Sequence, residues 1–210
     1  MKRRTMNKWS HHLILMVSIL FLGCKGTDQG ATTSPAESKA VFTEYIKPLE
    51  GTWAGRIITY SDPRGQVDET PQPKAKDFTP KTIIARPTKT EQITSLTETF
   101  TNDGEFSQTQ KVTEIVKGKQ RYTSHGIVKV EDAVIINRLN TLQGAELSTG
   151  YKDEDGNFVW IKEKTNPKVL EYYKRIRTGD KIRVIGWGYY GKDDLSKAPR
   201  IWFLGDLKKT

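Results

Sequence analysis

The chain has 210 residues, a length that favours one domain and leaves room for two. Its formal charge is +9, but Lys2, Arg3, Arg4 and Lys8 supply four of those nine charges within a first stretch, residues 1–23, that holds no Asp or Glu; the remainder carries only +5. So small a surplus reports solubility more than any partner, and no nucleic-acid partner is expected.

The N-terminus falls into three parts. Met1 to Trp9 is basic, Leu13 to Leu22 is apolar except for Ser18, and Gly23-Cys24 follows. The apolar run is too short for a bilayer core, which takes roughly 20 residues. A basic head, about 7–15 apolar residues and a small residue before the cut describe a secretory signal. The competing reading, a buried N-terminal helix, is opposed by the flanking bases and by the abrupt polar switch at Lys25.

Phe21-Leu22-Gly23-Cys24 resembles the lipobox of bacterial lipoproteins, in which a Leu and a small residue usually precede Gly or Ala and the Cys. Gly23 and Cys24 fit, while Phe21 stands where Leu is usual and Leu20 comes one position early. The resemblance implies cleavage before Cys24, a thioether-linked diacylglycerol on its sulfur and a palmitate-type acyl chain on the new N-terminus. Two or more acyl chains hold a protein on a membrane stably where one holds it marginally. Lys25 resembles the sorting pattern of outer-membrane lipoproteins, which implies a cell-envelope location with the periplasmic or surface face left open. Cys24 is the only cysteine, so the exported chain forms no disulfide within itself. A lone Cys directly after an export segment fits lipidation better than catalysis.

The remaining elements follow in chain order. Residues 24–40 read as a lipidated tether, because Lys25 to Lys39 is rich in Gly, Ser, Thr and Pro and has no large apolar side chain. A domain over 41–210 opens with Val41, Phe42, Tyr45 and Ile46 at helical spacing, ended by Pro48. Trp53 to Tyr60 is the first strand. Ser61 to Pro80 reads as a loop and Lys81 to Arg86 as a short strand. Gln92 to Thr101 and Glu105 to Val116 are Thr-rich strands with a hairpin signal at Asn102-Asp103-Gly104. Gln120 to Val130 and Ala133 to Leu142 pair through Glu131-Asp132. Glu146 to Tyr151 and Phe158 to Lys162 flank Asp153-Glu154-Asp155-Gly156-Asn157, a charged turn that lacks the frame and closing Glu of a calcium loop. Asn166 and Pro167 suit the start of a helix whose face would hold Val169, Tyr172, Tyr173 and Ile176, with Gly179 ending it. Ile182 to Tyr190 and Ile201 to Leu207 complete the chain.

Roughly ten short strands with hairpin turns and no βαβ rhythm predict a mainly β domain, a barrel or a sandwich. Gln120 to Val130 illustrates the pattern. Tyr122, Ser124, Gly126, Val128 and Val130 form a mostly apolar set, and Arg121, Thr123, His125, Ile127 and Lys129 a mostly polar one. Such alternation describes a wall between core and water.

Gly51-Thr52-Trp53 at the head of the first strand resembles the Gly-x-Trp opening of lipocalin-like (calycin) barrels. The resemblance implies a single antiparallel up-and-down barrel with a short N-terminal helix and one helix before the last strands. It also implies that Trp53 closes one end and packs against a basic residue of a late strand, here Arg200. Nitrobindin-type barrels share this opening but bind haem through a late His, and no His follows His125. A second stretch, Thr178 to Gly186, resembles the Gly-Asp-x-Val-x-Val-x-Gly strand of OB-folds. On that alternative, Arg183, Trp187, Tyr189 and Trp202 would form a binding face.

No zinc cluster, Cys–His pair, Gly-x-Ser-x-Gly elbow or phosphate-cradling loop occurs after the export segment. Paired carboxylates remain open, since Asp and Glu are plentiful and pairing is spatial. The expectation is a non-enzymatic protein without cofactor or metal. It would hold a small apolar or amphipathic ligand at Trp53, Trp187, Trp202 and Arg200, with Gly186 and Gly188 bending the strand beside Trp187 or serving only to close the barrel. The alternative is a filled barrel serving as an envelope interaction module, with an exposed patch around Tyr189, Tyr190 and Trp202.

Overall fold

A computed structural model of the chain describes residues 34–66, 89–142, 144–165 and 168–210. The export segment, Cys24, most of the tether, the Lys81 to Arg86 strand, Asn166 and Pro167 lie outside the described residues.

Helix α1 spans Pro35–Val41. Ser34 caps it by accepting from the Glu37 N–H at 3.2 Å, and Pro35 sits in the first turn, where its missing N–H leaves no bond unmade. The chain runs on through a π turn (Phe42–Ile46) and a 3₁₀ turn (Lys47–Leu49). The helical segment therefore begins inside the stretch expected to be tether. Ser38, Val41, Phe42, Ile46 and Leu49 are buried along it. It is fastened to three separate turns. Ser38 Oγ donates to the Ala133 carbonyl, Tyr45 OH donates to the Gly156 carbonyl at 2.5 Å, and Phe42 meets Phe106 edge-on at 6.3 Å.

The other described residues form a closed antiparallel barrel of ten strands: β1 (Gly51–Ser61), β2 (Lys89–Gly104), β3 (Ser107–Val116), β4 (Lys119–Glu131), β5 (Val134–Thr141), β6 (Gly144–Lys152), β7 (Phe158–Thr165), β8 (Lys168–Thr178), β9 (Lys181–Tyr190) and β10 (Ile201–Lys209). Each strand pairs with its sequence neighbours, and β1 pairs with β10 to close the ring. This is the single up-and-down barrel that the Gly-x-Trp resemblance implied, and the strand pattern had allowed either a barrel or a sandwich. Closure leaves no unpaired edge. On β4, Ser124 and Val128 are buried and His125 is exposed, as the alternation predicts.

Four local expectations are corrected. Val169, Tyr172, Tyr173 and Ile176 lie on strand β8, so the helix before the last strands is absent. These β-branched and aromatic side chains suit a strand. Their helical spacing arose because β8 carries apolar groups on both faces: Tyr173 joins the inner core, and Tyr172 stacks on Trp187 outside at 5.0 Å. Second, β2 continues through Asn102-Asp103-Gly104, with a register shift between Asn102 and Gly104, and the chain turns at Glu105-Phe106. Asn102 is pinned there, donating to Glu50 Oε2 at 2.8 Å and accepting from Gln108 Nε2 at 2.9 Å. Third, the OB-like stretch is part of the β8–β9 hairpin, with Gly179 at φ +59 in its turn, within one continuous meander. The β4–β5 turn falls one residue later than expected, at Asp132-Ala133, both with positive φ as a two-residue primed turn requires.

The helical segment and the turns after β2, β4, β6 and β8 lie at one end of the barrel, where Trp53 pairs with Lys209. Ser61 and Ile201 mark the other end, with the rims of β3, β5, β7 and β9.

Candidate functional site: the barrel interior

The plugged end is apolar. Phe42, Ile46, Leu49, Trp53, Phe100, Phe158, Ile182 and Leu207 belong to one buried cluster there. Trp53 is 1% exposed, and its indole N–H donates to the Leu49 carbonyl at 2.6 Å. Lys209 Nζ stands 5.5 Å from the Trp53 ring centroid, so the basic partner expected from a late strand is Lys209. Arg200 is at the opposite end of β10, bound through Nε to Asp193 Oδ1 at 2.8 Å. The pairing register explains the correction: Trp53 opposes Lys209, whereas Arg200 precedes Ile201, which opposes Ser61.

From this floor a partly open cavity of about 280 Å³ extends toward the other end. Its lower wall includes Leu49, Leu96, Phe100, Val112, Val128 and Trp160. Its upper wall mixes polar and charged groups with Leu139 and Phe203. Asn137, Ser148, Lys162 and Glu171 stand opposite one another in sequence across β5, β6, β7 and β8, so four adjacent strands contribute one polar row. Lys162 Nζ lies 2.6 Å from Glu171 Oε2 and 3.5 Å from Glu146 Oε2, and Lys164 Nζ lies 2.8 Å from Glu146 Oε1. Tyr190 OH donates to Glu171 Oε1 at 2.6 Å.

Midway, Arg175 grips Glu98 with both guanidinium arms, at 2.6 and 2.7 Å, while Gln110 Nε2 donates to Glu98 Oε1 at 3.4 Å. Among the described residues, Gln110 Oε1, Asn137 Oδ1 and Arg175 Nε are buried cavity-wall atoms without a hydrogen-bond partner.

These contacts set the protonation states. Burial disfavours charge on Lys162, but Glu171 and then Glu146 outweigh it and raise the ammonium pKa above its usual value. Burial likewise pushes the Glu146 carboxyl up, and Lys164 with Lys162 more than reverses this, leaving it below the usual range. The Tyr190 phenol is raised by burial and by the facing Glu171 carboxylate. The cavity wall is therefore a set of fixed, mutually compensated charges.

Trp187 and Trp202 are not in the cavity. With Ile185 and Tyr189 they form a second buried cluster on the outer wall over β9 and β10, packed by Tyr60, Leu170, Tyr172, Leu195 and Leu204. Tyr189 OH donates to the Lys197 carbonyl at 3.0 Å, fastening the loop between β9 and β10 over it. Tyr189 and Trp202 are 3% and 2% exposed, so the expected open aromatic patch is a packed one. Of the four residues expected to bind ligand, Trp53 forms the floor cluster, while Trp187, Trp202 and Arg200 stand apart from the cavity.

Gly186 and Gly188 stand where a side chain would collide with its surroundings. A Cβ on Gly186 would fall 2.5 Å from the Tyr172 carbonyl oxygen, and one on Gly188 would fall 2.5 Å from Tyr190 OH. The Asp153 carboxylate accepts from the backbone N–H groups of Asp155 and Asn157 at 3.1 and 2.7 Å, which makes this charged turn a self-capped hairpin.

The sequence reading missed Glu98, Gln110, Glu146, Lys162, Glu171 and Arg175. For β2 a signal existed: Thr94, Leu96, Glu98 and Phe100 share one face, so an acid stands in an otherwise apolar inward set. For β8 the helical reading hid the inward triplet Glu171, Tyr173 and Arg175. No family model matches the chain, and no curated protein matches it.

Proposed function

We propose that this chain is a lipid-anchored barrel of a bacterial cell envelope, tethered at Cys24 to the outer membrane, that holds a small amphipathic molecule and catalyses no reaction. The observation that carries the reading is the cavity of about 280 Å³, with an apolar floor and a row of polar and charged groups above it. Small-molecule pockets usually occupy about 300–1,000 Å³, so this volume suits a small occupant. An apolar occupant alone would leave the polar row unanswered, which favours an amphipathic one. The lipobox resemblance at Cys24 and the sorting resemblance at Lys25 support the anchoring.

Native mass spectrometry of the detergent-extracted protein from its own envelope tests the reading. The expected result is an added mass that disappears on denaturation, on a chain whose covalent mass includes the lipid at Cys24. Equal native and denatured masses would favour a filled-barrel interaction module, and an unmodified Cys24 would remove the anchor.

A further inference from the structure

Two buried groups of the cavity wall meet on one carboxylate oxygen and are each left half-answered. Gln110 of β3 and Arg175 of β8 both donate to Glu98 Oε1, from Nε2 at 3.4 Å and from Nη2 at 2.6 Å. Gln110 is 5% exposed. Its nitrogen faces a carboxylate, which only accepts, so its oxygen is turned elsewhere, and among the described residues that oxygen meets no donor. Arg175 gives both Nη atoms to Glu98, and its Nε–H meets no acceptor. All three side chains line the cavity. Glu98 thus holds an orphaned acceptor and an orphaned donor around itself. Asn137 Oδ1 on β5 is a further buried acceptor without a donor on the cavity wall. Buried polar groups left unpaired are costly, so an occupant that pairs them gains affinity.

The charges on this wall are already answered. Glu98 with Arg175, and Glu146 and Glu171 with Lys162 and Lys164, balance one another, and Glu114 has an interaction of its own. A charged head group would find no spare counter-charge to repay its lost hydration. Hydrogen-bonding capacity discriminates in the same direction. An ammonium only donates, so it answers Gln110 Oε1, leaves Arg175 Nε orphaned and stands beside a guanidinium. A carboxylate only accepts, so it answers Arg175 Nε, leaves Gln110 Oε1 orphaned and stands beside Glu98. A hydroxyl donates and accepts, and answers both. Apolar surface adjoins the group: Leu96 and Phe100 flank Glu98 along β2, and Val112 opposes it on β3.

From this inventory we propose that the cavity selects an uncharged amphiphile whose polar end is a hydroxyl, donating to Gln110 Oε1 and accepting from Arg175 Nε, with its aliphatic body against Leu96, Phe100 and Val112. The proposal rests on the reading that the barrel holds a small amphipathic molecule, and it names the chemistry of the head group.

Titration calorimetry of the full chain at neutral pH, with each ligand below its aggregation concentration, compares 1-octanol with octylamine, octanoate and heptyl methyl ether. The ether is an isomer of octanol that keeps the acceptor and lacks the donor. Octanol should bind at least about tenfold more tightly than either ion. It should bind at least about threefold more tightly than the ether. Gln110→Met removes the orphaned acceptor and should weaken octanol about threefold or more while leaving the ether within about twofold. Thermal melting verifies the fold of this variant, and the four-ligand comparison on the native chain decides the selection independently of it. Octanol binding no tighter than either ion or the ether overturns the hydroxyl selection and leaves the amphipathic reading standing. Unchanged octanol affinity in folded Gln110→Met overturns the assigned site. Absence of binding by all four ligands overturns both readings.

Discussion

Glu98 of β2 and Arg175 of β8 meet inside the barrel, with Arg175 Nη1 on Oε2 at 2.7 Å and Nη2 on Oε1 at 2.6 Å. Strands β1, β10 and β9 intervene on the shorter way round the ring, so the pair ties two distant walls together. Both side chains are nearly excluded from water, at 4% and 12% exposure. Removing one partner strands a buried charge, which costs about 3–5 kcal/mol, whereas well-packed apolar replacements for both are often neutral. Arg175→Met and Glu98→Gln should each lower unfolding free energy by about that amount, and Glu98→Leu with Arg175→Met should recover most of it. Denaturant titrations of the three variants measure this directly. A double variant no more stable than either single one would mean that the pair does more than balance two charges.

Trp53 is held by a different combination: a buried ring, an indole N–H on the Leu49 carbonyl and the Lys209 ammonium above. Trp53→Ala empties the floor of the barrel and should cost about 3–5 kcal/mol. Lys209 is exposed, so Lys209→Ala removes only a solvent-screened cation–π contact, expected to cost about 0.5–1 kcal/mol. Equal losses from the two substitutions, read from denaturant midpoints, would contradict this division of labour.

The barrel was legible because most strands keep one wet face. Along β4 the alternation identifies the inward set, and Gly51-Thr52-Trp53 marks the first strand. Legibility fails where a strand is buried on both faces. On β8, Tyr173 faces the interior and Tyr172 lies against Trp187, and that double apolar pattern coincides with helical spacing. The same ambiguity moved the expected site outward, since Trp187 and Trp202 pack on the outer wall. The polar interior was harder still, because Glu98 and Arg175 lie far apart in sequence and only barrel closure brings them together.

Acid should expose the role of Glu146. Its carboxyl is held below the ordinary value near 4.5, since Lys164 and Lys162 outweigh the opposing effect of burial. A carboxyl with a depressed folded-state pKa contributes stability that is present above its unfolded value and lost as pH falls through the folded one. The stability difference between the native chain and Glu146→Gln should therefore be flat from neutral pH down to about 5 and shrink below that. A difference that stays constant to pH 3 would mean Glu146 acts through packing alone.

Cys24→Ser tests the anchor without touching the barrel. Labelling with radioactive palmitate should mark the native chain and leave the variant unlabelled, and the variant should leave the membrane fraction. Label retained after the substitution would place any lipid elsewhere.

The closed sheet has positions where no side chain fits. Gly186 faces the interior on β9, and an added Cβ would lie 2.5 Å from the Tyr172 carbonyl oxygen and 2.8 Å from Tyr173 Cβ. The first obstacle is backbone, so side-chain rearrangement does not relieve it and β8 itself must shift. Gly186→Ala should destabilise the barrel by about 1–3 kcal/mol, seen as a lower melting temperature. Gly118 supplies the contrast: nothing lies within 4 Å of a Cβ there, but φ is +72. Gly118→Ala should therefore cost about 1 kcal/mol from backbone strain alone. Cavity binding should then separate the two, weakened in Gly186→Ala, where β8 carries Glu171 and Arg175 with it, and unchanged in Gly118→Ala. Loss of stability without any change in binding by Gly186→Ala would show that the β8 side chains keep their places when its backbone moves.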